Sequence, residues 1–319
     1  MAEAHATFLP VIDKSTNVRV SSFRFRLLRT VFGVLGYLAP GLVARWAARL
    51  FLTTRRHRPS QSERRVLGTS EAFSVWSGGY RLAVWSWGVG PTVLLVHGWN
   101  GRGTQLGALV APLVQRGYRV VTFDTVGHGD SDGKRATLVD MADAVGAVAE
   151  AVGPVMALIA HSMGGAVTTI AMADGLAVQR AVYIAPPADP ARWIEIFAEF
   201  LGFSEDLTDR MTAYIERLAG RKVRDLRGPV LARSMTTPLL VIHDRDDLEV
   251  PWRESSAVAT AWPGASTWRT AGLGHRRVLR DPGVVEKIVR FISKEVEDDQ
   301  HSQEIMAANL GLGEPVDPQ

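Results

Sequence analysis

At 319 residues the chain is long enough to bury one large core, or a core with a small accessory domain. It contains no cysteine, which excludes disulfides, thiolate metal sites and a cysteine nucleophile. The formal charge of +3 conceals an asymmetry: residues 1–65 hold twelve basic residues, eleven of them arginine, against three acidic ones, a local +9 that leaves the remainder at −6.

Residues 1–20 read as a loose lead-in, followed by two helical stretches, Phe23–Leu38 and Gly41–Leu52, divided at Pro40. The longest apolar run, Val31–Ala44, falls short of the roughly 20 residues a spanning helix needs. Met-Ala-Glu-Ala-His at the start lacks the positive charge of a secretory signal, so a cytoplasmic protein is expected. Phe23, Leu27, Phe32, Leu35, Leu42, Trp46 and Phe51 give the segment bulky apolar surface, with Arg45 and Arg49 one turn apart. It is expected to dock on the body of the protein near the cap described below, or to make peripheral contact with a membrane. No nucleic-acid motif accompanies the arginines, and no nucleic-acid partner is expected. Thr53–Glu63 reads as a polar, basic linker.

Ala72–Trp76 and Tyr80–Trp87 flank Gly78-Gly79 and read as a hairpin. Continuous apolar runs follow at Thr92–Val96, Arg119–Phe123, Val155–Ala160, Ala181–Ala185 and Pro238–His243, with a weaker one at Thr267–Thr270. Such runs suit strands buried on both faces. Helical stripes lie between them, at Leu106–Val114, Leu138–Val152 and, near the end, Val285–Ile292. Strands alternating with helices make a mostly parallel sheet with helices on both faces, here with an antiparallel hairpin at the front. About 50 residues separate Ala185 from Pro238, far more than one crossover requires. Two further stripes inside that stretch, Trp193–Leu201 and Leu207–Leu218, predict a small helical cap. The expected organisation is a helical extension (1–65), a core (66–185 and 234–295) interrupted by the cap (186–233), and an acidic tail (296–319).

Four pieces carry chemistry. Ala160-His161-Ser162-Met163-Gly164-Gly165 joins a strand to a helix so sharply that small residues are needed two positions either side of the serine, the setting of a nucleophile. His97-Gly98-Trp99-Asn100-Gly101 follows an earlier strand, and the N–H groups of Trp99 and Met163 are placed to stabilise an oxyanion. His97 itself is read as a backbone-binding residue. The run His243-Asp244-Arg245-Asp246-Asp247 ends a late strand and offers a carboxylate to orient a histidine, and Gly272-Leu273-Gly274-His275 presents that histidine. Spacing alone leaves Asp244, Asp246 and Asp247 open.

The chain order of these pieces, oxyanion loop, Ser, Asp, His, resembles that of the α/β-hydrolase superfamily over about residues 70–293. Asp124-Thr125-Val126-Gly127-His128-Gly129-Asp130-Ser131-Asp132-Gly133 is similar to that family's D-x-x-G-H-G-x-S-x-G loop, which shapes the site there without acting in catalysis. The resemblance of the late acidic run to G-x-x-D-x-x-V-P implies Asp247 as the triad acid, with Asp244 standing where glycine is more usual. Some members place the acid after an earlier strand, which makes Asp189 the runner-up. A serine nucleophile implies acyl chemistry: a carboxylic-ester hydrolase on Ser162, Asp247 and His275, with a small acyl ester and water as substrates and neither metal nor organic cofactor. Thioester, carbon–carbon or perhydrolytic chemistry on the same triad are its rivals, and a silent ligand-binding protein is the rival from another class. Trp193 and Phe197 of the cap are the expected acyl-pocket residues.

Overall fold

The computed structural model describes residues 23–293, with side chains from Arg29 on. The expected lead-in and acidic tail lie outside the described residues. Two helices, α1 (Phe23–Leu38) and α2 (Pro40–Phe51), meet at Ala39, where Pro40 starts the second helix at a position that needs no N–H donor. The stretch read as a linker is not one. Its second part opens helix α3 (Gln61–Leu67), nucleated by a reciprocal capping box between Ser60 and Glu63, a signal present in the sequence as Ser-x-x-Glu. Its first part is fastened to the body. Arg56 donates to the carbonyls of Gly127, Ser131 and Gly133, Thr54 Oγ1 donates to Gly127 O at 2.6 Å, and Thr53 pairs as an isolated bridge with Arg135.

Eight strands form one sheet in the order β1-β2-β4-β3-β5-β6-β7-β8. The hairpin of β1 (Glu71–Ser77) and β2 (Tyr80–Trp87) turns through Gly78 and Gly79 at φ 55° and 82°, a turn that only residues tolerant of positive φ can make. Both hairpin pairings are antiparallel; β3 (Thr92–Val96), β4 (Arg119–Phe123), β5 (Val155–His161), β6 (Val178–Ile184), β7 (Leu239–Asp244) and β8 (Ser266–Thr270) run parallel. This is the α/β-hydrolase fold. β3, β5 and β7 are buried throughout, which is why their sequences run continuously apolar, while the edge strand β8 is half exposed and reads weakly.

Alternate residues of each strand feed the two faces. Leu94, Val121, Leu158 and Val241 pack against α5 (Leu138–Val152) and α6 (Met163–Ala173), whereas Val93, Val120, Ile159 and Leu240 meet Leu106, Leu113 and Ile288. The first of these outer stripes departs from expectation. Residues Gly103–Leu109 form a 3₁₀ turn, and α4 is confined to Val110–Gln115. Pro112 cannot accept an α-helical turn running through the residues before it, and Gly103 and Gly107 lower helix propensity there.

After β6 the chain leaves the sheet for α7 (Pro190–Leu201) and α8 (Glu205–Ala219), each capped at its start by a side chain (Asp189, Ser204) and stopped by a left-handed glycine (Gly202, Gly220). It returns through short turns that include α9 (Gly228–Leu231). α10 (Trp252–Ala261), α11 (Gly274–Arg277) and α12 (residues 282–293) complete the described chain.

A third core lies away from the sheet. Phe32, Val43, Ala47 and Leu52 of the front helices are buried with Phe197, Leu201, Leu207 and Met211 of α7 and α8. Each large side chain buried there contributes about 1.5–3 kcal/mol, so burial holds one face of the front hairpin on α7 and α8.

Candidate active site

Ser162 sits between β5 and α6 with φ 53° and ψ −127°, a conformation that costs a non-glycine residue about 1–3 kcal/mol. The surrounding sequence removes everything that would prevent it. A Cβ on Gly164 would stand 2.6 Å from Val96 O, and one on Gly98 would stand 2.9 Å from Ser162 Cβ. The loop after β3 therefore lies directly against the serine, and its next residue is Trp99. Met163 is the first residue of α6, where the helix leaves N–H groups without intrahelical acceptors.

His275 is buried on α11, and its Nδ1 donates to Asp247 Oδ2 at 2.7 Å. The other Asp247 oxygen accepts from the N–H groups of Glu249 and Val250 at 2.8 and 2.9 Å, which locks the turn after β7 around the carboxylate. The neighbouring acids have different partners. Asp244 accepts from Thr270 Oγ1 and from the N–H groups of Asp246, Leu273 and Gly274. Burial alone would raise its pKa, and these hydrogen bonds together hold the carboxylate below the ordinary range. Asp246 accepts from Gly272 N at 2.7 Å. Both thus fasten the loop that carries His275. Asp189 caps α7 and pairs with Arg227 at 2.9 Å. Among the described residues, Asp247 is the one acid hydrogen-bonded to the His275 ring.

Histidines support the arrangement from behind. His97 Nδ1 donates to Gly98 O at 2.7 Å and its Nε2 accepts from Thr125 N at 3.0 Å, so both ring nitrogens serve the backbone. His161 Nε2 donates to His275 O at 2.9 Å, with the two rings 4.5 Å apart. His243 Nε2 donates to Val250 O and lies 3.5 Å from Asp247 Oδ2, bracing the same turn. Sequence reasoning assigned no part to His161 or His243. Their partners lie in other loops, and no local pattern announces them. Burial pushes all three below the ordinary histidine pKa.

His128 shows why these rings stay neutral. Its Nδ1 lies 2.9 Å from Val126 O and 3.0 Å from Thr125 Oγ1, whereas its buried Nε2 has no hydrogen-bond partner among the described residues. Desolvation, helped by His97, lowers its pKa from 6.5 to about 3. The unfolded chain binds this proton below about pH 6.5, while the folded chain refuses it until about pH 3. Stability is therefore expected to fall with pH below 6.5, by up to about 1.4 kcal/mol per pH unit per such histidine. Urea midpoints at pH 7 and pH 5 check this. The decrease should be smaller in His128→Asn, and equal midpoints at both pH values in the unaltered protein would count against it.

Ser162, His275, Trp99 and Met163 open on one cavity of about 890 Å³, at the upper end of the range of small-molecule sites. Trp193, Ile194 and Phe197 of α7 form one wall. Another wall comes from a segment outside the resemblance that the sequence carries: Leu50 to Thr53, Arg55, His57, Glu63 and Val66. Arg55 N donates to Asn100 Oδ1 at 2.7 Å, so the front segment also braces the loop after β3, where Asn100 itself takes a positive φ of 56°. Buried Arg102 extends the brace, donating to His57 O and Asp130 Oδ2 beside Asp124. Among the described residues no group of three or more His, Asp or Glu side chains is placed to hold a metal ion.

A model described as the alpha/beta hydrolase family matches residues 93–288. Of solved structures, an esterase from Exiguobacterium antarcticum superposes with a TM-score of 0.55 at 17% identity, covering 70% of this chain and 100% of the other. An esterase of Pyrococcus furiosus gives 0.58 at 17% identity, covering 76% and 97%. A pyrethroid hydrolase of Sphingobium wenxiniae is 38% identical over 77 residues, 23% of this chain and 28% of that protein's length.

Proposed function

The chain belongs to the alpha/beta hydrolase family, and from that premise we propose that it cleaves carboxylic esters through an acyl-enzyme formed on Ser162. The observation that carries the reading is the 2.7 Å hydrogen bond from His275 Nδ1 to Asp247, with His275 and Ser162 lining the same cavity. With Nδ1 protonated and bound, Nε2 of His275 keeps the lone pair that a general base needs. Ser162 Oγ attacks the ester carbonyl and passes its proton to His275 Nε2, which returns it to the departing alcohol. The backbone N–H groups of Trp99 and Met163 receive the negative charge of the tetrahedral intermediate. Water then attacks the acyl carbonyl as His275 Nε2 takes its proton, and His275 returns that proton to Ser162 Oγ as the acyl–serine bond breaks and the acid leaves. Asp247 keeps the imidazole in one tautomer and offsets the charge it gains. The test is a fluorophosphonate probe: one covalent adduct on the Ser162 peptide is expected, and an unlabelled folded protein would refute the assignment.

Acyl selectivity is assigned to the cap wall. Phe197 is buried in the third core with its ring 5.3 Å from Phe51, so its truncation would cost about 3–5 kcal/mol in packing and confuse the result. Trp193 is half-buried on the cavity wall and gives the cleaner variant. Trp193→Ala is expected to change kcat/KM for medium and long acyl chains about 10-fold or more while acetate ester turnover moves less. Equal losses for every chain length would place the indole outside the acyl path.

A further inference from the structure

The front hairpin carries apolar residues on two sides, and the cap covers one. Phe32, Val43, Ala44, Ala47 and Leu52 are buried there. Val31, Val34, Leu35 and Leu38 follow each other at helical spacing along α1 and are exposed, as are Leu42 and Trp46, one turn apart on α2. The tip is the barest part: Tyr37 is 89% exposed, Leu38 70% and Leu42 65%. Single exposed leucines are ordinary on a protein surface, but this many large apolar residues exposed on one short hairpin point to an interaction surface.

Charge decides between the occupants. The hairpin itself, residues 23–51, contains five arginines and no aspartate or glutamate. Arg45 and Arg49 stand exposed on α2 beside Leu42 and Trp46. A second copy of this chain would bring one such basic hairpin against another, since a two-fold interface pairs the same surface with itself. An anionic surface meets the same arginines favourably while repelling the acidic remainder of the chain, which fixes orientation. No helix among the described residues is long and apolar enough to cross a membrane, and an amphipathic hairpin of this kind suits contact in the plane of the surface. Trp46, stacked on buried Phe32 with ring centroids 4.6 Å apart and half exposed, sits where an interfacial aromatic belongs.

We propose that the outer face of the α1–α2 hairpin seats this protein on an anionic lipid surface. Tyr37, Leu38 and Leu42 enter the boundary between headgroups and acyl chains, and Arg45 meets lipid phosphates. The same helix ends in Leu50 and Phe51, which line the cavity of Ser162, so docking brings one wall of that cavity close to the lipid. Only this last consequence rests on the proposed esterase reading. The docking does not, and sedimentation with vesicles reads it without reference to catalysis.

The test uses the full-length protein with vesicles of phosphatidylglycerol and phosphatidylcholine, compared with phosphatidylcholine alone. Binding to the anionic vesicles is expected at about 0.1 M salt, with the apparent affinity falling about 10-fold or more at about 1 M, where the Debye length has shrunk to about 3 Å. Leu38→Glu combined with Leu42→Glu should lower affinity by about 10-fold or more, since each removes an inserted leucine. Both positions are exposed, so ester turnover and the thermal midpoint should stay near those of the unaltered protein. Arg45→Gln adds no charge to the apolar face and should weaken anionic binding about 5-fold. Absence of vesicle binding at low salt would overturn the proposal, as would binding that none of these substitutions changes. A dimer that stays off vesicles and dissociates in the Leu38/Leu42 variant would assign the face to a second copy instead.

Discussion

Ser162→Ala is expected to lower kcat on an activated ester by about 10⁶-fold, and His275→Ala by a similar factor. The size follows from how the pair would work. Without Oγ there is no acyl-enzyme, and without the imidazole the serine keeps its proton, so either loss removes the same step. The double variant should then be little worse than either single one. The residual rate would come from binding and from the N–H groups of Trp99 and Met163, which neither substitution touches. Both variants should fold. The Ser162 side chain caps no helix N–H, and the positive φ is imposed by the junction of β5 and α6, whichever small side chain it carries. Unchanged thermal midpoints together with lost turnover are the expected pair of measurements. Full activity in folded Ser162→Ala would end the serine mechanism.

Asp247→Asn is the second large effect, expected at about 10⁴-fold in kcat by analogy with the serine-protease triad. An asparagine NH₂ facing His275 Nδ1 favours the tautomer with its proton on Nε2, which then cannot accept from Ser162. The asparagine Oδ1 can still receive the N–H groups of Glu249 and Val250, so the turn should survive and the loss should be mostly chemical. Asp189→Asn is the control. That residue caps α7 and pairs with Arg227, and asparagine caps nearly as well as aspartate, so activity should stay within a few-fold. A collapse of kcat in Asp189→Asn with little change in Asp247→Asn would transfer the acid to the earlier strand.

The core and its chemistry were written locally. Continuous apolar runs in β3, β5 and β7 announce strands covered on both faces, and Gly78-Gly79 announces the hairpin, because burial and positive φ restrict residue type at each position. Small residues at 160 and 164 predict the sharp turn at Ser162 for the same reason: a Cβ at Gly164 would strike Val96 O. The capping box at Ser60 and Glu63 was equally local, and reading the stretch as a linker overlooked it.

What the sequence by itself determined, then, is every feature whose cause lies within one element or one turn: the strands, the helices, the strained serine and the order of the motifs. Only the tertiary structure decided which of Asp244, Asp246 and Asp247 meets His275, because a spacing of one to three residues around a turn is resolved by where Glu249 and Val250 direct their N–H groups. It also decided that His161 holds the His275 carbonyl across 114 positions of chain, and that residues 50–66 wall the cavity. The front hairpin marks the same boundary. Phe32 is buried and Leu35 exposed although they stand three residues apart on one apolar helix. Periodicity records that a helix has apolar faces, and only the position of α7 and α8 determines which of them is covered.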